Sequence, residues 1–214
     1  MGTLFVDKLD PQSGTSLEIG SSGDTMTVPS GATLSIAGTI NASSGTATGF
    51  GGGLTQSSTF YVTTDYHPSA SDEAITNWAE SNASNYNRLG TSPTQSSGVF
   101  SLPETGWWMV SCNLMCFQST ATNDSWGLAI QTSTNSGVAY DNAGSARDRF
   151  DGGGASNDYR QITSTFILKC ENISTFRFRP FLGGVNQTYF KVVGGSQDST
   201  QGGSYMNIMK LADV

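Results

Sequence analysis

The chain has 214 residues and a net charge of −7, with 36% hydrophobic and only 13% charged residues. Its ten basic residues occur singly and its pI is near 4.4, which argues against nucleic-acid binding because that function needs a concentrated basic surface. Polar residues other than Lys and Glu dominate, which favours strands and turns over helices. No long apolar run is present, so we expect neither a signal peptide nor a membrane insertion.

Residues 1–53 begin with short apolar pairs separated by turn residues. Each pair encloses one polar residue, a spacing typical of short β-strands. So narrow a ribbon is marginal alone in water, and we expect three copies to wind together into a shaft. The predicted interchain contacts are Leu17, Ile19, Met26, Val28, Leu34 and Ile36. NASSGTATGFGGG follows as a flexible hinge, which predicts a domain boundary near residue 53.

Residues 54–214 predict a single all-β domain. Apolar alternation indicates strands at 58–63, 98–102, 106–118, 125–131, 137–140, 159–170, 173–181, 188–193 and 203–211. The same alternation predicts a core containing Trp108, Val110, Leu114, Trp126, Leu128, Ile130, Ile162, Phe166, Leu168, Phe176 and Phe178. Many strands joined by glycine- and asparagine-rich turns predict an antiparallel sandwich or jelly roll.

The segment SDEAITNWAESN, residues 71–82, fits two structures. Ser71 is a suitable helix N-cap, and Ala74, Ile75 and Trp78 have helical spacing. Ile75 and Trp78 suit an irregular edge strand equally well. Both alternatives stay open from the sequence.

The three cysteines are expected to be reduced and buried. Cys112 and Cys116 lie on one face of a predicted strand, where residues four apart are too distant to form a disulfide. Cys170 has no cysteine or histidine neighbour at metal-ligand spacing. We therefore expect them to behave as small hydrophobic side chains.

The sequence predicts no catalytic site, no cofactor and no metal site. The single histidine, His67, is the only imidazole base for a nucleophile, and Gly-x-Ser-x-Gly is absent. Its acidic neighbours Asp65, Asp72 and Glu73 are explained by a polar turn better than by a metal site. No pattern brings together the carboxylates that a glycosidase would need from Glu104, Asp124, Asp141 and Glu171.

Two arginine-containing segments are candidates for receptor contact. Residues 141–158, DNAGSARDRFDGGGASND, predict a long exposed loop, and its spacing fits neither the EF-hand nor the nonapeptide calcium repeat; whether it binds an ion stays open. In FRFRPF, alternation predicts that the arginines point away from the core. The candidate contacts to a sugar or an anion are Arg147, Arg149, Asp151, Arg177 and Arg179.

SSGVFSLPETGWWMVSCNLM resembles the early strands of the complement/tumour-necrosis-factor-like globular head. The matching positions are Gly98, Phe100, Pro103, Thr105, Gly106, Trp108 and Ser111. ILKCENISTFRFRPF is similar to a hairpin of that family and GSYMNIMKLADV to its closing strand, although Asn207-Ile208 replaces the usual Ser-Gly. The resemblance spans about residues 57–214 and implies a jelly roll that trimerises through aromatic faces. Tyr189, Phe190 and Tyr205 are the candidate interface residues.

The text LDPQSGTSLEIGSSGDTMTVPSGATLSIAGT resembles the opening of bacteriophage fibre and appendage proteins, often from marine phages. The likeness rests on Asp10, Pro11, Ser13, Gly14, Leu17, Ile19, Gly20, Gly23, Asp24, Val28, Pro29, Gly31, Ala32 and Leu34. It implies a homotrimeric virion structural protein, made in the host cytoplasm and carried on the particle surface.

In that interpretation the N-terminal segment binds other virion proteins, and the head recognises a host-surface glycan or protein. An alternative from the same sequence is a capsid head fibre or decoration protein that binds no receptor. A glycan-degrading enzyme is the less favoured third alternative.

Overall fold

The computed structural model describes residues 25, 27–33, 35, 37, 54–81, 88–120, 125–150, 158–195 and 203–214. The chain divides into two units, Met1–Phe50 and Gly51–Val214. In the first, the amide of Ala32 donates to the carbonyl of Pro29 at 3.0 Å, and Val28 is 41% exposed. The other predicted shaft contacts lie outside the described residues: Leu17, Ile19, Met26, Leu34 and Ile36. The shaft and the boundary near residue 53 stay predictions.

The described part of the second unit is all-β, which confirms the predicted fold class, and contains no helix. It has the strands β1 Ser57–Val62, β2 Glu73–Ala74, β3 Trp78–Glu80, β4 Thr94–Ser96, β5 Val99–Ser101, β6 Gly106–Gln118, β7 Ser125–Ser133, β8 Asp141–Arg149, β9 Asp158–Cys170, β10 Arg177–Gly183, β11 Phe190–Val192 and β12 Tyr205–Ala212. These strands form two antiparallel sheets. None of the described residues belongs to a helix with the length and hydrophobicity to cross a membrane.

The first sheet has the order β9-β6-β12-β1-β3, with β11 also paired to β6. The second has the order β8-β7-β10-β5-β4, with β2 also paired to β10. The longest ladder joins β6 to β9 and runs from the pair Gly106–Cys170 to the pair Gln118–Asp158. The sheets enclose one core, so each has an inner and an outer face.

Aromatic rings fill the core at two centres. Phe100 stacks on Phe178 with ring centroids 5.1 Å apart. The rings of Phe60 and Phe100 meet edge to face, with centroids 5.0 Å apart. The second centre joins Trp126 to Phe150 at 5.9 Å and to Phe190 at 5.3 Å. The residues predicted to point inward are buried, except Phe166, which packs on the core while staying partly exposed.

Phe190 is a correction to the sequence analysis. Its side chain is only 2% exposed because its ring packs against both Trp126 and Phe150 in the core. Phe190 therefore belongs to the core of the single chain and is not available to a second subunit. Tyr189 and Tyr205, at 38% and 42% exposure, stay as the candidate interface residues of the head.

Two predictions are corrected around β8, one of a strand and one of a loop. Residues 137–140 lie in a turn that two side chains stabilise. The backbone amide of Gly137 donates to the hydroxyl of Ser133 at 2.9 Å, and the backbone amide of Ala139 donates to Oδ1 of Asn135 at 3.0 Å. The predicted loop 141–158 instead begins with the nine-residue strand β8. Its sequence lacks apolar alternation because it is an edge strand with mostly small or polar residues on both faces.

The open question about residues 71–82 is resolved in favour of strands. β2 pairs with β10, and β3 pairs with β1. The buried indole of Trp78 donates to the carbonyl of Ile75 at 2.9 Å. Both apolar residues thus enter the core from an irregular edge, as the strand alternative predicted.

Candidate binding surfaces

A furrow crosses the outer face of the second sheet over β8, β7, β10 and the segment before β2. It encloses about 130 Å³. The residues lining it are small ones on the floor, Gly127, Ala129 and Gly183, and larger ones on the walls, Phe181, Asp72, Gln131, Asn142, Ser145 and Arg147. We call this feature the furrow.

Strand alternation and register explain why these residues meet. Trp126, Leu128 and Ile130 are buried in the core, so the residues between them on β7 point outward. Ala129 pairs with Ser145 on one side and with Phe181 on the other. The neighbouring pairs are Gly127 with Arg147, Gly127 with Gly183, and Gln131 with Asn142.

Two local features keep the furrow open. A Cβ atom at Gly183 would lie 3.3 Å from Oδ1 of Asp72, and one at Gly127 would lie 3.0 Å from the carbonyl oxygen of Ala146. The register between β7 and β8 shifts after Ile130, which is the signature of a β-bulge. The shift pairs Asn142 with Gln131, and the Gln131 amide donates to Oδ1 of Asn142 at 3.0 Å.

The arginines predicted to contact a receptor have different surroundings. Arg147 lines the furrow, whereas Arg149, two residues later on β8, is exposed outside it. The guanidinium of Arg179 lies 3.8 Å from the ring centre of Tyr140 and donates to Oε1 of Gln131 at 2.8 Å. Arg177 donates to backbone carbonyls of its own turn. Asp151 lies outside the described residues.

The outer face of the first sheet is a second exposed surface. Ile167, Met109 and Met209 are register neighbours across β9, β6 and β12. Ile167 is 61% exposed and Tyr159, at the other end of β9, is 57% exposed. We define the first-sheet face as the outward residues Trp107, Met109, Tyr159, Ile167, Tyr205 and Met209.

Hydrogen-bonded polar side chains occupy the middle of the first-sheet face. The hydroxyls of Ser111 and Thr165 are 2.8 Å apart, and the amide of Asn113 donates to Thr163 at 2.8 Å. In each pair, the two side chains satisfy each other's hydrogen-bonding groups across the ladder from β6 to β9. The exposed apolar side chains lie on either side of this polar row.

The acidic residues near His67 do not converge. Asp65 accepts from the ammonium of Lys191 at 2.6 Å and from the amide of Gly194 at 3.1 Å. Burial alone would raise the pKa of Asp65, but these two hydrogen bonds outweigh it and lower the pKa. Each carboxylate in this segment has its own protein partner, and no group of three or more possible ligands is placed to hold a metal ion within the described ranges.

Glu73 is held by a separate set of donors. The hydroxyl of Tyr66 donates to Oε1 at 2.7 Å, and that of Ser69 donates to Oε2 at 2.7 Å. Partial burial acts to raise the pKa of Glu73, but the donated hydrogen bonds dominate and lower it. The carboxylate therefore fastens the loop before β2 and stays ionised at neutral pH.

The other acids considered for sugar hydrolysis are also dispersed. Glu104 accepts from Lys210 at 2.7 Å, while Glu171 pairs with Lys169 at 2.5 Å. Asp141 begins β8, and Asp124 lies outside the described residues. Each of the two described glutamates thus has a lysine as its ion-pair partner.

The cysteines are free and buried. Burial raises the pKa of the thiols of Cys112, Cys116 and Cys170. They are therefore thiols in the folded chain, which is the state that the sequence analysis expected.

The furrow and most of the first-sheet face were missed by the sequence analysis. Alternation along β9 carries a signal for the face, because Tyr159 and Ile167 lie opposite in parity to Ile162 and Leu168. The furrow has no comparable signal, since its residues come from four separated stretches of the chain. Only the register of β7 with β8 and β10 brings them together.

The two antiparallel sheets around one core define the head as an all-β jelly roll, and its fold is similar to that of tumour-necrosis-factor proteins. Among solved structures it is similar to Eiger TNF from S. frugiperda, with a TM-score of 0.54 and 14% identity over 74% of this chain and 93% of that one. It is also similar to the crystal structure of murine APRIL at pH 8.5, with a TM-score of 0.50 and 11% identity over 73% and 98% of the two chains. No protein-family model and no curated protein sequence matches this chain.

Proposed function

We propose that this chain is a homotrimeric fibre or appendage protein on the surface of a bacteriophage virion. Its N-terminal segment attaches to other virion proteins, and its jelly-roll head recognises the host surface. Support comes from the resemblance of residues 10–34 to phage appendage proteins and from the head fold. The role is structural and adhesive, with no catalytic step.

The observation that carries the trimer is the first-sheet face. Apolar and aromatic side chains are exposed there on either side of the polar row, with Ile167 at 61% and Trp107 at 40% towards one end of the β6–β9 ladder and Tyr159 at 57% at the other. Exposed apolar side chains on one face favour an association surface, because water contact with apolar area is unfavourable. A copy of the same chain is the occupant that the family resemblance implies.

The mass of the purified full chain in solution tests the proposal. Sedimentation equilibrium is expected to give three times the chain mass of 22.5 kDa. A single species at the mass of one chain, unchanged over a hundredfold concentration range, would remove the fibre proposal. Gold labelling of the particle then separates a tail location from the alternative of a capsid head fibre.

A further inference from the structure

The furrow is directed away from the first-sheet face. The two faces belong to different sheets of one sandwich, and the core lies between them. Association through the first-sheet face would therefore leave the furrow exposed on the outside of the assembly. A ligand there would meet three equivalent copies, which multiplies a weak affinity.

The size of the furrow limits what it holds. Its volume of about 130 Å³ is below the roughly 300–1,000 Å³ of pockets that enclose a cofactor or drug-sized ligand. One ring-sized group fits, and the remainder of a larger ligand must project into solvent. An end group or a branch of a surface polymer has that shape.

The walls of the furrow combine an apolar surface with hydrogen-bonding groups of both kinds. Phe181 and Ala129 form the apolar part. Donors are available from the guanidinium of Arg147, the amide of Asn142 and the hydroxyl of Ser145, and the carboxylate of Asp72 is an acceptor. A pyranose ring has matching groups, namely a C–H face and hydroxyls that both donate and accept.

The hydrogen-bonding capacity of the furrow is only partly used within the chain. Among the described residues Arg147 has no hydrogen-bond or ion-pair partner, in contrast to Arg177 and Arg179. Asp72 accepts from the amide of Gly184 at a long 3.3 Å and from Ser71 at 2.8 Å. Two carboxylate oxygens have about four acceptor positions, so capacity remains for a ligand.

Two other kinds of ligand fit less well. β7 and β10 are paired on both sides, so a peptide cannot add to them as an extra strand. A phosphate-rich ligand would meet the carboxylate of Asp72 and a chain with a net charge of −7, which opposes a multiply charged anion.

We propose that the furrow binds one sugar ring of a host-surface glycan. The ring lies against Phe181, with its hydroxyls between Arg147 and Asp72. This assignment names the ligand class of the recognition step in the proposed function and rests on it.

Binding to immobilised sugars tests the assignment. Hexoses, N-acetylhexosamines and hexuronates, each coupled to polyacrylamide, are measured against the full chain by biolayer interferometry. At least one polymer is expected to bind. Arg147→Ala should weaken that binding by about tenfold or more, because a charge-assisted hydrogen bond is lost. Ser145→Trp should abolish it by filling the furrow from an exposed position.

Arg149→Ala is the matched control, since it removes the same charge from the same strand outside the furrow. The assignment thus separates Arg149 from Arg147, although both were candidate sugar contacts from the sequence. It should keep the wild-type affinity within about twofold, and thermal unfolding of each variant checks that the fold is retained. Absence of binding to every polymer, or equal loss in Arg147→Ala and Arg149→Ala, would overturn the assignment. A trimer that binds no sugar would leave the fibre proposal intact. A single chain that binds through Arg147 would remove the trimer and the fibre proposal, and would leave the assignment of a sugar ring to the furrow.

Discussion

At the scale of single residues, the same side-chain type makes different contacts at neighbouring positions of one strand. Arg177 and Arg179 were grouped by their alternation with Phe176 and Phe178, and the structure gives each its own partners. Nη1 of Arg177 donates to the carbonyls of Phe176 and Ile173 at 2.6 and 2.9 Å, and Nη2 donates to that of Ser174 at 3.1 Å. These hydrogen bonds give Arg177 a structural role, and its contact with a receptor stays a prediction.

Arg177→Ala is expected to lower the free energy of unfolding by about 1–2 kcal/mol, because the carbonyls of the turn before β10 lose charge-assisted hydrogen bonds. Urea denaturation followed by fluorescence measures the change. Arg149→Ala, on an exposed strand position, is the comparison and should change stability by less than about 0.5 kcal/mol. Equal effects of the two changes would contradict the structural role.

Glu73→Gln should destabilise the head by about 1–2 kcal/mol at pH 7, because the hydrogen bonds from Tyr66 and Ser69 lose their ionised acceptor. The folded state lowers the pKa of Glu73 from its ordinary value of 4.5. Its contribution is therefore fully present above pH 4.5 and is lost as the pH falls through the lowered pKa.

The difference between wild type and Glu73→Gln should accordingly shrink when urea denaturation is repeated at successively lower pH below 4.5, because the stabilisation is lost as the pH falls through the lowered pKa of Glu73. Asp141→Asn, at an exposed position of β8, is the control for a general effect of charge. A difference that stays constant as the pH is lowered would show that ionisation of Glu73 is not what fastens the loop.

At the scale of elements, short connections decide how the strands pair. β4 and β5 form a hairpin in which Ser96 pairs with Val99, so the loop is Ser97-Gly98. Both loop residues have positive φ, 49° and 78°, as a type I′ turn requires. A Cβ atom at Gly98 would lie 2.1 Å from the carbonyl oxygen of Ile75, so this glycine also allows the hairpin to pack beside β2.

Gly98→Ala should therefore destabilise the head by about 2–4 kcal/mol, through backbone strain and the collision with Ile75. Ser97→Gly at the preceding loop position is the control and should change stability by less than about 0.5 kcal/mol, since its conformation suits glycine equally. The thermal unfolding midpoints of the two variants measure these stability changes, and Gly98→Ala should have the lower midpoint. Similar midpoints would show that the hairpin can move away from Ile75.

At the scale of the whole molecule, the two outer faces of the sandwich have different surfaces. The first-sheet face exposes apolar rows beside a hydrogen-bonded polar row, whereas the second sheet has the polar furrow. Such a division suits a head that associates by one face and contacts a ligand by the other. Association and recognition can then be changed independently by substitution.

Ile167→Asp should weaken association of the full chain and raise the concentration needed for assembly by about tenfold or more, because a charge would enter an apolar contact. Ile167 is 61% exposed in the single chain, so the fold should remain intact by circular dichroism. Val138→Asp, at an 85% exposed position of the turn before β8, is the control and should keep the wild-type mass. Unchanged assembly of Ile167→Asp would exclude this face as the interface.

The sequence by itself determined the all-β class, the bounds of β6 and most of the buried positions of the long strands β6, β7 and β9. Those properties follow from local alternation, which the apolar residues of long strands display directly. β4 and β8 were not predicted as strands, and the segment that forms β2 and β3 was left open between helix and strand. Pairing with their neighbours stabilises these strands where their own sequence has little preference.

Only the tertiary structure decided which outward residues meet. Phe190 and Tyr189 are adjacent in sequence, yet one fills the core and the other is exposed. Arg147 and Asp72 are far apart along the chain, and they line one furrow because β8 pairs with β7, β7 with β10, and β10 with β2, which Asp72 precedes. Register is a property of whole sheets, set by packing between them, so a short stretch of sequence does not contain it.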